Sequence, residues 1–313
     1  MLIKLFITAI FMFSASCSFF QQVKQRRNMA VEERPVNYFA RPSWTSELRQ
    51  RIIVLPFLSK DLLISQRVKE EARKTVVREL FRSRRFVIVR NSDFPVPLSQ
   101  FLNEKNEYNI KKLSKLAANM GVAALIEGKI LNVVVKKVGD EIGVFRKIRA
   151  VTEVNVQVRA IATRNGKEIL RTQRKASVEA ETTKVMQSPY RDQALKEDPR
   201  LIRLAVQKAF RGVILHLVKS IQKLDWEGRV AMVSGEKIYI NAGRLSGIQI
   251  GDILKVTEEG KEVYDPETGR FLGRAPGRLK GTIEIISYFG KDGAIGVVHS
   301  GSGFKENDRV ELY

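Results

Sequence analysis

The stretch that most limits the fold is a strict two-residue alternation. Val154, Val156, Val158, Ala160 and Ala162 occupy one side, and Glu153, Asn155, Gln157 and Arg159 the other. Successive strand residues point to opposite faces, so this segment predicts a strand with one buried and one wet face. Asn165-Gly166 predicts a tight hairpin, because both central positions of such a turn take positive φ, and Glu168 to Val178 predicts the returning strand. The flanking sequence supplies cover for the apolar face. Ile52 to Leu58 and Phe86 to Val89 are short, β-branched apolar runs, and Val122 to Ile126 begins another. Between them, Ile64, Val68, Ala72, Val76 and Leu80 recur every four residues, with Val77 and Phe81 widening the stripe of a helix. Asn109 caps a second helix through Ile110, Leu113, Leu116 and Ala117, which Gly121 stops. One long helix is expected after Pro199, with Ile202, Ala205, Ala209, Val213, Leu217 and Ile221 inward. Residues 51–224 therefore predict an α+β domain, a mixed sheet with packed helices.

Beyond Asp225-Trp226 the helical stripe stops, and Gly-containing turn signals arrive roughly every ten residues. The strands expected between them are Lys237 to Asn241, Asp252 to Val256, Leu279 to Ile286, Ala294 to His299 and Arg309 to Leu312. They suffice for a small all-β, SH3-like barrel over 225–313.

The N-terminus carries Lys4, an apolar run from Leu5 to Phe13, and the small residues Ser14-Ala15-Ser16 before Cys17, the only cysteine. This is the pattern of a signal peptide over 1–17, too short to cross a bilayer as a helix. The small residues ahead of Cys17 resemble a bacterial lipobox, which implies lipidation of Cys17, with Ser18 implying the outer membrane. The residues alone leave open a secreted chain that sheds Cys17 with its leader. Residues 18–50 hold six Lys and Arg, with Pro35 and Pro42 and no sustained periodicity, and are expected to be a basic tether.

Lys and Arg number 55 against 34 Asp and Glu, a formal charge of +21 that favours anionic partners. The densest cationic cluster is Arg78, Arg82, Arg84, Arg85 and Arg90. An exported chain meets anionic glycan, lipid phosphate or acidic protein rather than nucleic acid, so this cluster is the candidate anionic-partner patch, or else a solvated helix end. One Cys and two His cannot build a disulfide framework or a Cys/His metal centre. His216 stands in a helix between Leu215 and Leu217, and His299 ends a strand in the other domain, so no catalytic triad is expected. Asp252, Asp265 and Glu267 read as turn residues rather than a calcium loop, and Gly301-Ser302-Gly303 as a loop. No catalytic, metal or cofactor residue is assigned.

Leu125-Ile126-Glu127-Gly128-Lys129-Ile130, the hairpin around Asn165-Gly166 and the closing helix resemble the periplasmic domain of the curli-secretion family and the TolB amino-terminal domain. The lipoprotein activators of peptidoglycan synthases share that core. Gly247 to Val256 and Asp265 to Gly273 resemble the carboxy-terminal domain of flagellar assembly protein T, a family that also places a TolB-like domain directly before it. The resemblance implies a non-enzymatic, outer-membrane-anchored periplasmic scaffold, a homo-oligomer or a partner of envelope proteins, with the flagellar basal body as the favoured assembly. Regulation of peptidoglycan synthesis and a curli-type secretion pore are the alternatives. For a pore, Val135 to Ile148 and Glu179 to Pro199 are the two candidate membrane hairpins, and both are rich in charge.

Overall fold

The computed structural model describes residues 48–60, 64–139, 145–185 and 199–313. Leader, Cys17 and most of the tether lie outside the described residues, and residues 46–313 form one compact unit.

β1 (Gln50–Val54) starts the sheet and pairs in parallel with β3 (Phe86–Val89) and β4 (Ala124–Gly139). It is apolar on both sides because both sides are covered. Ile52 and Val54 join the larger core, whereas Ile53 and Leu55 join a second one on the opposite face. Two-residue β2 (Leu58–Ser59) adds to β4. β4 then runs antiparallel to β5 (Phe145–Ala162), and β5 to β6 (Glu168–Val185), giving the order β3-β1-β4-β5-β6. These last three strands are longer than the alternation alone indicated and take in part of each stretch considered as a membrane hairpin.

Helix α1 (Gln66–Arg82) is capped by the Ser65 hydroxyl, which accepts from Val68 N, and buries Val68, Ala72, Val76 and Leu80 on the larger core. α2 (Ile110–Asn119) is capped by Asn109 and covers the second face with Leu113 and Ala117. The helix expected as one piece after Pro199 is two, α3 (Pro199–Arg211) and α4 (Ile214–Ile221). At Gly212 the ladder tightens, and Val213 N bonds Phe210 O three residues back, which keeps Val213 and Leu217 on the buried stripe. The sheet therefore has three layers at its parallel end, while β4, β5 and β6 present a polar second face.

The Asn165-Gly166 hairpin is looser than expected. Only Gly166 takes positive φ, at 65°, and the Asn165 side chain accepts from Lys167 N in a connection spanning residues 163–167.

The expected small barrel is closed, in the order β12-β13-β8-β7-β14-β9. Its strands are β7 (Gly228–Ser234), β8 (Lys237–Ile240), β9 (Ile253–Thr257), β12 (Leu279–Phe289), β13 (Gly293–Gly301) and β14 (Arg309–Leu312). β7 escaped the sequence reading because Gly228 and Arg229 interrupt its apolar pattern. A separate ladder, β10 (Glu262–Tyr264) with β11 (Phe271–Arg274), projects between β9 and β12 and was also not foreseen.

Candidate functional site

A buried ionic cluster of the barrel lies at its seam with the sheet. Arg229 on β7, Arg274 on β11 and Arg309 on β14 have side chains 3%, 8% and 2% exposed, and all three turn toward the Glu259 carboxylate. Arg229 and Arg274 each pair with it directly; Arg309 Nη2 lies 3.6 Å away and its Nε is 3.3 Å from buried Glu227. Arg229 also crosses to the sheet, where its Nε donates to Ala118 O on α2 at 3.0 Å. Asn241 Nδ2 donates to Met120 O at 3.1 Å, and the Arg51 guanidinium donates to Asn241 O. Gly121 ends α2 at φ 68°, and a Cβ there would sit 2.8 Å from Asn241 Nδ2. Positive φ and close approach thus both require glycine at this contact. Burial alone raises the Glu259 carboxyl. The hydrogen bond from Arg229 and the charges of Arg229, Arg309 and Arg274 outweigh that burial and hold it below the ordinary glutamate range.

Outside this seam the same segments form a groove of about 400 Å³. Lys111 and Lys115 on α2, Arg164 at the β5–β6 connection, and Arg274 and Glu262 on the β10–β11 ladder line it. Four cations thus face one carboxylate. Glu262 is engaged by Lys115 at 3.4 Å, Arg274 at 3.5 Å and the Tyr264 hydroxyl at 2.5 Å. The hydrogen bond from Tyr264, then those of Lys115 with the charges of Lys115 and Arg274, lowers its pKa despite partial desolvation. Tyr264 and Phe271 meet edge to face with centroids 5.5 Å apart, and Lys111 Nζ stands 5.6 Å from the Tyr264 ring. Ser114 Oγ, buried in the groove wall, has no hydrogen-bond partner among the described residues. This is a concave, cationic surface with aromatic rings, suited to hold an anionic group by charge and a ring or apolar body by stacking.

No protein-family model matches the chain, and no curated protein matches it. Solved structures do. A hypothetical protein from Chlamydia trachomatis is 15% identical at a TM-score of 0.33, over 55% of this chain and 98% of that one. Lipoprotein GNA1162 from Neisseria meningitidis is 15% identical at 0.26, over 55% and 99%. The C-terminal domain of LpoB from Salmonella enterica is 14% identical at 0.27, over 42% and 83%. Bacterial lipoproteins are thus among the structures to which this chain is similar.

The cluster singled out in the sequence lies elsewhere. Arg78 and Arg82 are exposed on the last turns of α1, Arg84 and Arg85 follow in the turn, and Arg90 precedes a short 3-10 turn. Arg82 pairs with Glu79 at 3.2 Å and Arg90 with Asp93 at 2.9 Å, so part of the cluster's charge is answered locally. Arg78 Nη2 donates to Thr75 Oγ1 at 3.4 Å. His216 is exposed on α4 and His299 on β13, in separate elements. Asp265 accepts from Glu267 N, Thr268 N and the Thr268 hydroxyl, the bonding of a turn. Sequence reasoning missed the groove, since its cations stand at 111, 115, 164 and 274 and no local run announces them.

Proposed function

We propose that this chain is a non-enzymatic scaffold of the bacterial envelope, held by acylated Cys17 at the periplasmic face of the outer membrane, that docks on a large assembly through residues 46–313. The observation that carries this reading is the seam. Arg229 is a buried charge whose partners come from both sides of the sheet–barrel junction, Glu259 in the barrel and Ala118 O on α2, and separating the two parts would strip its guanidinium of the bond to the sheet. Such a junction suits a stiff spacer that fixes two surfaces at one distance, rather than a hinge that opens and closes around a substrate. The groove supplies the docking charge, and its natural counterpart is an acidic protein face or an anionic polymer.

The order of a TolB-like core followed by a small β barrel favours the flagellar basal body as the assembly. The test is co-purification with extracted basal bodies of the wild-type chain and of a chain carrying Lys111→Glu and Arg164→Glu. The expected result is co-purification that the double reversal abolishes while the variant still reaches the membrane. Absence from basal bodies together with normal motility in a deletion strain would sink the flagellar reading. A second reading, regulation of peptidoglycan synthesis, draws on Tyr264 and Phe271: aromatic rings beside cations suit an anionic glycan. Binding to isolated cell-wall sacculi, lost in the same variant, would favour it. The pore reading finds less support. The open face of β4–β6 carries Lys136, Glu153, Asn155 and Lys175, which belong in a lumen and not against lipid, and conductance in planar bilayers tests it.

A further inference from the structure

β6 is the last strand of the sheet, and among the described residues no strand pairs with its outer side. It runs 18 residues, long for an edge, and a long edge is a template for pairing with another chain unless its side chains prevent it. The charges in the middle of β6 are sorted: Arg171, Arg174 and Lys175 precede Glu179 and Glu181, with Glu168 at the start of the strand and Lys184 near its end. Over residues 171–181 the strand is basic and then acidic, and such a stretch is complementary to its own antiparallel copy.

We propose that two copies of this chain pair antiparallel through β6 about a twofold axis at Ser177, joining their sheets into one. In that register the exposed Lys175 of each copy stands opposite the exposed Glu179 of the other, on the open polar face. On the helix-covered face, Ala176 stands opposite Val178 of the second copy. Both are partly buried at the margin of the larger core, so the pairing extends apolar cover already begun within each chain. The backbone at the axis is reachable from outside: Ser177 O accepts from exposed Lys208 Nζ at 3.0 Å, a bond that pairing would replace. Moving the axis to Ala176 would set Arg174 against Val178, and moving it to Lys175 would set that cation against itself. An axis at Val178 would break the Lys175–Glu179 contacts and move the two Ser177 residues out of register, so the Ser177→Cys cross-link distinguishes it.

The pairing is independent of which assembly the scaffold serves; a monomer bound to basal bodies would overturn the pairing and leave the scaffold reading intact. The experiment uses the exported full-length chain carrying Cys17→Ala, so that a Ser177→Cys substitution introduces its only thiol. Sedimentation velocity is expected to show a concentration-dependent dimer. Lys175→Glu and Glu179→Lys should each weaken it about tenfold, and the two together should restore it to within about threefold of wild type. Ser177→Cys should give a disulfide-linked dimer on mild oxidation, since facing residues of paired strands lie within disulfide reach. Single reversals without effect, a double reversal without recovery, or no cross-link through Ser177→Cys would each overturn the proposal. Circular dichroism of each variant separates lost pairing from lost folding.

Discussion

Glu259 stands where one carboxylate answers Arg229, Arg274 and Arg309, and removing its charge while keeping its shape isolates what the seam contributes. Glu259→Gln should cost about 2 kcal/mol in urea denaturation at neutral pH, less than the roughly 3–5 kcal/mol of a fully buried broken pair because Glu259 keeps some solvent contact. The acid dependence has a definite sign. The folded-state pKa lies below the ordinary value of 4.5, so the carboxylate's contribution is complete above that value and is lost as the pH falls through the folded one. In that window the unfolded chain binds the extra proton, and stability therefore falls with pH. The variant should lose less stability than wild type on going from about pH 5 to about pH 3. Parallel losses in the two proteins would remove Glu259 from the account. Nothing in the local sequence marks this residue. Its partners are 30, 15 and 50 positions away, and buried arginines read as surface residues until the topology brings them together.

At the scale of elements, the paired helices α3 and α4 close the larger core over β5 and β6. Phe210 is fully buried there, its ring centroid 4.6 Å from that of Phe57. Phe210→Ala should destabilise by about 3–5 kcal/mol, whereas Leu215→Ala, at a position 62% exposed on α4, should change stability by no more than about 0.5 kcal/mol. Equal effects in thermal or urea unfolding would contradict the assigned faces. These faces were legible because a helix on a core repeats its apolar residues at fixed spacing, as Ala205, Ala209, Val213 and Leu217 do even across the break at Gly212. β5 was legible because its alternation is complete. β7 was not, since Arg229 is buried by ion pairing rather than by apolarity, and a strand pattern cannot register that. Among the described residues β10 and β11 pair only with one another, so no covered face imposed an alternation on Glu262-Val263-Tyr264 or Phe271-Leu272-Gly273-Arg274. The candidate groove inherits this difficulty, because one of its walls is that ladder.

For the whole molecule, the proposed placement rests on the leader and Cys17, and the seam ties the sheet to the barrel. The full chain's net charge of +21 would draw it toward anionic surfaces, and the groove gives part of that charge a defined shape. The envelope placement stands or falls on the covalent state of one thiol. Mass spectrometry of the N-terminal peptide from the membrane-purified chain tests it most directly: the account predicts a mature chain that begins at Cys17 and carries acyl groups. A chain that begins at Met1, or at Ser18 without lipid, would contradict it.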